Sequence, residues 1–221
     1  MKLLLNALTK FICGIVLVAA LIFLPAGTFN YIDGWIFMGV LFVPIFILGI
    51  VLLAKSPELL KKRLDGKEQE NTQKGVVAFS ALAFLGSFIV AGLDFRCGWS
   101  NMTSAIKITA IALFLASYVL YAEVMRENAY LSRTIEVQEN QTVIDTGLYG
   151  IVRHPMYAAT IIMFLSIPII LGSWYSFIIF LGYPIIIGVR IVNEEKLLTE
   201  QLNGYKEYKQ KVRYRIIPFI W

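Results

Sequence analysis

Apolar positions along this chain fall into long uncharged blocks separated by short charged ones. Phe11 to Phe29, Gly34 to Ala54 and Gly75 to Leu93 carry no charge, and each fits the roughly 17–25 residues that a membrane helix needs. Pro25 and Gly27 mark the fraying end of the first. A fourth block runs from about Ala105 to Ala122, with Lys107 placed to snorkel toward a surface. Pro155 to Val189 is 35 residues without a charge. As one helix it would be about 52 Å long, against a hydrocarbon core of about 30 Å. A split at Gly172-Ser173 makes it two helices in a tight hairpin, with Trp174 and Tyr175 at the far interface. The pattern predicts an all-α integral membrane protein of about six spans, the last two paired as that hairpin.

Composition agrees. Hydrophobic residues make up 58% of the 221, charged residues 16%, and mean hydropathy is +0.70. A soluble domain carries roughly 25% charged and about 45–50% apolar residues, so a soluble domain and a disordered chain are both excluded. The net charge of +5 would point to nucleic acid in a soluble protein. Here the basic residues flank apolar spans, where they set orientation and meet lipid head groups, and no nucleic acid partner is expected. Lys2, Lys10 and the run from Phe11 resemble a signal peptide, but further spans follow, so the run is read as a first membrane helix. Cys13 and Cys97 provide neither a disulfide framework nor metal-ligand spacing, and no metal is expected.

Counted by alternating sides, eighteen of the twenty Lys and Arg residues lie on one side and only Arg96 and Lys107 on the other. The positive-inside rule then places both termini in the cytoplasm. After the second span, Ser56-Pro57-Glu58 reads as an N-cap, a first-position proline and an acidic first turn. Leu59, Leu60 and Leu64 follow at helical spacing, as in an interfacial helix over about 56–65 lying on the membrane. There is no internal repeat. The chain divides into a four-span region, residues 1–125, and a second region, 126–221, holding the hairpin over 155–189 and the C-terminal tail.

Polar residues crowd against the membrane in two stretches. QENQTVIDTGLYGIVRHPMY occupies 138–157 and RIVNEEKLLTEQLNGYKEY occupies 190–208. Both feet of the hairpin lie on one side, so the two stretches meet at one mouth. His154, the sole histidine, precedes Pro155 at the start of a helix. It reads either as a cap or as an anion contact, because free N–H groups at a helix start favour carboxylate or phosphate. Arg190 and Glu194 share a helix face as an i,i+4 pair contributing about 0.2–0.5 kcal/mol, or as a functional ionisable pair at the membrane boundary. Glu195 points about a quarter turn away. Tyr149, Tyr157, Tyr205 and Tyr208 suit interface aromatics, and Gly147 and Gly150 suit loop punctuation. No G-x-G-x-x-G, P-loop or H-E-x-x-H motif is present, which excludes a conventional nucleotide fold.

The order of these residues is more specific than any one of them. GLYGIVRHPMY at 147–157, a charge-free hairpin, RIVNEEKLL at 190–198, LNGYKEY at 202–208 and VRYRIIPFIW at 212–221 follow in turn. From about Arg126 to Trp221 the chain resembles the isoprenylcysteine carboxyl methyltransferase family, within the wider membrane methyltransferases that include phospholipid N-methyltransferases. SPELLKKRL near Ser56 also reads like bacterial relatives. The resemblance implies a cytoplasmic site for S-adenosylmethionine, whose product is S-adenosylhomocysteine. Its implied contacts are Gln138, Gln141, Thr142, Val143, Ile144, Tyr149, His154, Pro155, Met156, Tyr157 and Glu194. Arg190 matches the position that holds the substrate carboxylate, and Arg153 and Glu195 complete the catalytic motifs. Gln141 departs from the usual histidine, and LNGY departs from the F-G-x-x-Y spacing.

The implied activity is methyl transfer to an amphiphilic, prenyl-bearing acceptor drawn from the lipid bilayer, with carboxyl O-methylation ahead of phospholipid or thiol methylation on the same site. An α-carboxylate, with a pKa of about 3.3–3.7, is already ionised and needs no general base, and a bidentate arginine suits it. An NADPH-dependent sterol-type reductase and a non-catalytic membrane module are the competing classes.

Overall fold

The computed structural model describes residues 2–64, 71–131 and 137–221. Lys67 and Arg133 of the orientation count, and Asp65 at the end of the expected interfacial helix, lie outside the described residues. Among the described residues the regular secondary structure is all helix, with no strand. In order come α1 (Lys2–Ala26), α2 (Ile32–Lys55), α3 (Pro57–Leu64), α4 (Asn71–Cys97), α5 (Ser104–Glu127), a 3-10 turn (Gly147–Gly150), α6 (Pro155–Ile170), α7 (Trp174–Phe180), α8 (Tyr183–Gln201) and α9 (Tyr205–Lys211).

Among the described residues five helical segments, not the expected six, are long and apolar enough to cross a membrane: Leu3–Ala26, Ile32–Lys55, Ser80–Cys97, Ser104–Glu127 and Trp174–Gln201. The chain is an all-α integral membrane protein. The hairpin turns at Leu171 to Ser173, where the breaker pair predicts it. Its second arm carries a break that the hydropathy pattern does not announce, at Leu181-Gly182. Pro184 opens α8 there, and a helix usually ends before a proline. Past Val189, α8 runs on for three more turns and carries Arg190, Glu194 and Glu195 beyond the uncharged run. At 16 residues α6 is about 24 Å long, shorter than a hydrocarbon core of about 30 Å.

In lipid the outer surface gains nothing from hiding apolar side chains, so helices associate through close packing and hydrogen bonds. Leu24, Val119 and Ile185 accordingly stay at least 70% exposed. Inside, Ile22, Phe37, Phe114, Ile167, Phe180 and Ile191 form one core shared by α1, α2, α5, α6, α7 and α8. α1 lies along α4, and α5 along α6. At the first contact Gly92 is required, because a Cβ there would stand 2.5 Å from the Ile22 carbonyl oxygen.

The bundle end remote from the charged stretches is tied by polar groups. Asp94, in the last turn of α4, is buried and accepts hydrogen bonds from Ser100 N (2.7 Å), Ser100 Oγ (2.6 Å) and Ser173 Oγ. Ser173 Oγ in turn caps α7 by accepting from Ser176 N at 3.0 Å. Lys107 reaches Asp33 at 2.7 Å, so its charge is neutralised by α2 and not carried to the surface alone. α3 also differs from expectation. Its Leu59 and Leu60 are buried, and Leu59 packs on Val124, Met125, Leu131 and Tyr149. The end of α5 and the segment after it lie against Leu59.

Candidate active site

The segment after α5 is shaped by Glu127. Its carboxylate accepts from Leu148 N at 3.0 Å and so starts the 3-10 turn. Gly147, at φ +52°, admits this approach, since a Cβ there would fall 1.6 Å from Glu127 Oε1. The turn presents Tyr149 inward, where Asn128 Nδ2 donates to its hydroxyl at 3.0 Å. Burial pushes the Tyr149 phenol up to about 12 against the opposing effect of that hydrogen bond. Tyr208 of α9 donates to Tyr149 O at 2.7 Å, which seats α9 on the turn.

On α8, Arg190, Glu194 and Leu198 recur every four residues and face one cleft. Opposite them stand His154, Met156 and Tyr157 from the start of α6, and Gln141 to Ile144 from the preceding segment. The cleft has a cavity volume of about 100 Å³ and opens to solvent. At its centre the Tyr157 hydroxyl donates to Glu194 Oε2 at 2.6 Å and accepts from Arg190 Nε at 2.9 Å. One phenol therefore holds both ionisable groups that the i,i+4 spacing singles out.

Glu195, one residue along the helix, is rotated away from this cleft and is 3% exposed. Arg153 Nε lies 2.7 Å from its Oε1, His154 Nε2 3.3 Å from the same oxygen, and Arg215 Nε 3.1 Å from Oε2. Arg153 also donates to Val212 O (2.6 Å) and Arg213 O (2.8 Å). The backbone N–H groups of Arg153 and His154 donate to Tyr214 O and Arg215 O. Glu195 is thus the hub on which the tail is laced to the start of α6.

Of the residues singled out by sequence, Gln141, Thr142, Val143, Ile144, Tyr149, Arg153, His154, Met156, Tyr157, Arg190 and Glu194 line this one cleft. Gln138, Pro155 and Glu195 stand behind it. Gln141 Oε1 accepts from Gln138 N at 2.9 Å, so Gln141 closes the turn at the cleft wall. Sequence reasoning missed Asn128, Tyr130, Leu131, Leu198 and Leu202 as lining residues, and no local motif marks them. Tyr205 and Tyr208 were visible but suited interface aromatics. Their burial, at 4% and 5% exposed, assigns them instead to the cleft wall.

Residues 105–204 match the phospholipid methyltransferase family model. No curated protein matches the chain significantly. The phospholipid methyltransferase match runs from the start of α5 to the residue before α9. It includes every wall of the cleft except Tyr205 and Tyr208, and it implies a membrane methyltransferase. It does not separate the isoprenylcysteine branch from the phospholipid one.

Proposed function

We propose that the chain transfers a methyl group from S-adenosylmethionine to the carboxylate of an amphiphilic, isoprenylcysteine-like acceptor. The observation that carries this reading is the Arg190–Tyr157–Glu194 link, which sets a guanidinium and a carboxylate side by side in one cleft. The donor set suits the cofactor. Glu194 would take its hydroxyls or its ammonium group, and His154 with the opening turn of α6 would take its carboxylate. Val143, Ile144 and Leu198 would cover its apolar faces. When bound, the cofactor supplies an electrophilic methyl group on sulfur. Transfer would form the acceptor's new O–C bond as the S–C bond breaks, its electron pair staying on sulfur as a neutral thioether. No proton moves, and alignment is the main requirement.

In this reading Arg190 holds the acceptor carboxylate in a bidentate fork, and Tyr157 fixes the distance between acceptor and cofactor. Arg153 and Glu195 act through position, by holding His154 and the tail. The short α6 supports lateral entry, because its start, next to Arg153, would lie close to the hydrocarbon boundary where a lipid tail would stay. The Lys and Arg distribution supports a cytoplasmic cleft with both termini on the same side.

Methylation of a phospholipid amine is the second reading, favoured by the family model that matches. An amine acceptor must lose a proton and would sit poorly beside Arg190. The two separate when purified protein is given methyl-labelled cofactor with either a farnesylcysteine analogue or phosphatidylethanolamine vesicles. The proposal expects base-labile label on the farnesylcysteine analogue, about 100-fold weaker with Arg190→Gln from the lost charge-assisted pair. Base-stable label on the phospholipid alone would replace it with the second reading.

A further inference from the structure

Tyr205 presents a polar group that the described residues leave unanswered. Its side chain lines the cleft, and its buried hydroxyl meets no hydrogen-bond partner among the described residues. Nearly all buried polar groups are paired, and an exception calls for a reason. The same helix shows that pairing was available: Tyr208, three residues on, donates to Tyr149 O at 2.7 Å. Tyr205 follows Gly204, whose φ of +83° starts α9 and turns the tyrosine back against Val143, Leu198 and Leu202. Burial first, and then the charges of Glu195 and Glu194, push its phenol up. It stays protonated and stands ready as a donor.

The position along the cleft narrows the acceptor. Arg190, Glu194 and Leu198 succeed one another by single turns, so the guanidinium end and the Tyr205 end lie about 12 Å apart along α8. The Arg190 end, with His154, suits charged groups. The Tyr205 end has apolar walls and two nearby carboxylates, which repel an anion and suit a flat neutral ring. We propose that Tyr205 is a ligand contact whose hydroxyl donates to a ring nitrogen or sugar oxygen of the cofactor's nucleoside. This inference rests on the methyl-transfer reading and assigns a further residue to its cofactor site.

The test is calorimetric titration of the full-length, detergent-purified protein with S-adenosylhomocysteine and with adenosine, alongside thermal unfolding without ligand. Tyr205→Phe should weaken both ligands by about tenfold, the worth of one hydrogen bond. It should leave the ligand-free midpoint unchanged or higher, because it removes a hydroxyl that has no partner to lose. Tyr208→Phe, which breaks a formed bond, should lower that midpoint. Binding by Tyr205→Phe within twofold of wild type would overturn the inference while leaving the methyl-transfer reading intact. So would a ligand-free midpoint lowered as far as in Tyr208→Phe. Weakened S-adenosylhomocysteine with unchanged adenosine would overturn the assignment to the nucleoside. Wild-type protein that binds neither ligand would overturn the methyl-transfer reading itself, and the inference with it.

Discussion

The two ends of the helix bundle use polar residues in opposite ways. At the end remote from the cleft, Asp94 accepts from Ser100 and Ser173, Ser100 Oγ accepts from Trp174 N at 3.0 Å, and Ser87 Oγ meets Ser176 Oγ at 2.6 Å. Each of these groups answers another, and the cluster seals the hairpin turn against α4. At the cleft end, Tyr157 is shared between Arg190 and Glu194, and the Tyr205 hydroxyl is left over. Burying a polar group is costly unless it is bonded. A closed set therefore holds a structure together, while an open set stores bonding capacity for something that arrives. Behind the cleft, the Glu195 hub is a closed set within the open end, and it ties the two behaviours to one helix.

Removing that hub should have the largest effect. Glu195→Ala leaves Arg153 buried without its carboxylate, a loss of about 3–5 kcal/mol for a broken buried pair. Unfolding and cofactor-product titration should decline together, because Arg153 and His154 lose their common anchor. Full stability with lost binding would instead place Glu195 among the ligand contacts.

Asp94→Ala should come next, destabilising by about 1–3 kcal/mol through the unanswered hydroxyls of Ser100 and Ser173. Thermal unfolding checks this. The affinity for S-adenosylhomocysteine should stay within about twofold, since the closed end does not touch the cleft. A large affinity loss would erase the division between holding and binding.

The smallest effect concerns Asp145 and Lys211, an exposed pair at 2.6 Å that joins the cleft segment to α9. The Lys211 hydrogen bond and charge hold the Asp145 carboxyl below its usual range. With a depressed folded-state pKa, the contribution is present above the unfolded value of about 3.9 and is lost as pH falls through the folded value. Wild type should therefore show a slight extra loss of thermal stability below about pH 4 that Asp145→Asn lacks. Identical acid profiles would mean that the pair contributes nothing measurable, as many surface pairs do.

Much of the fold was legible because hydropathy and helix breakers act locally. Uncharged runs marked the spans, and Gly172-Ser173 marked the hairpin turn. The motif order drew attention to both walls of the cleft. The break before Pro184 was visible in the residues but hidden within an unbroken apolar run. The third uncharged run ends at Leu93, whereas α4 continues through Asp94 to Cys97.

Sequence by itself determined the membrane class, the course of the first two spans and the fourth, and the pairing of two polar stretches at one end of a hairpin. Tertiary structure alone decided what each polar residue does. Neighbours on a helix are turned by about 100°, so Glu194 enters the cleft while Glu195 joins the tail, although the two are chemically alike. Which face turns inward depends on α6, α9 and the tail meeting around α8, and those contacts join residues that are distant along the chain. For the same reason the orphaned Tyr205 hydroxyl exists only in the folded molecule.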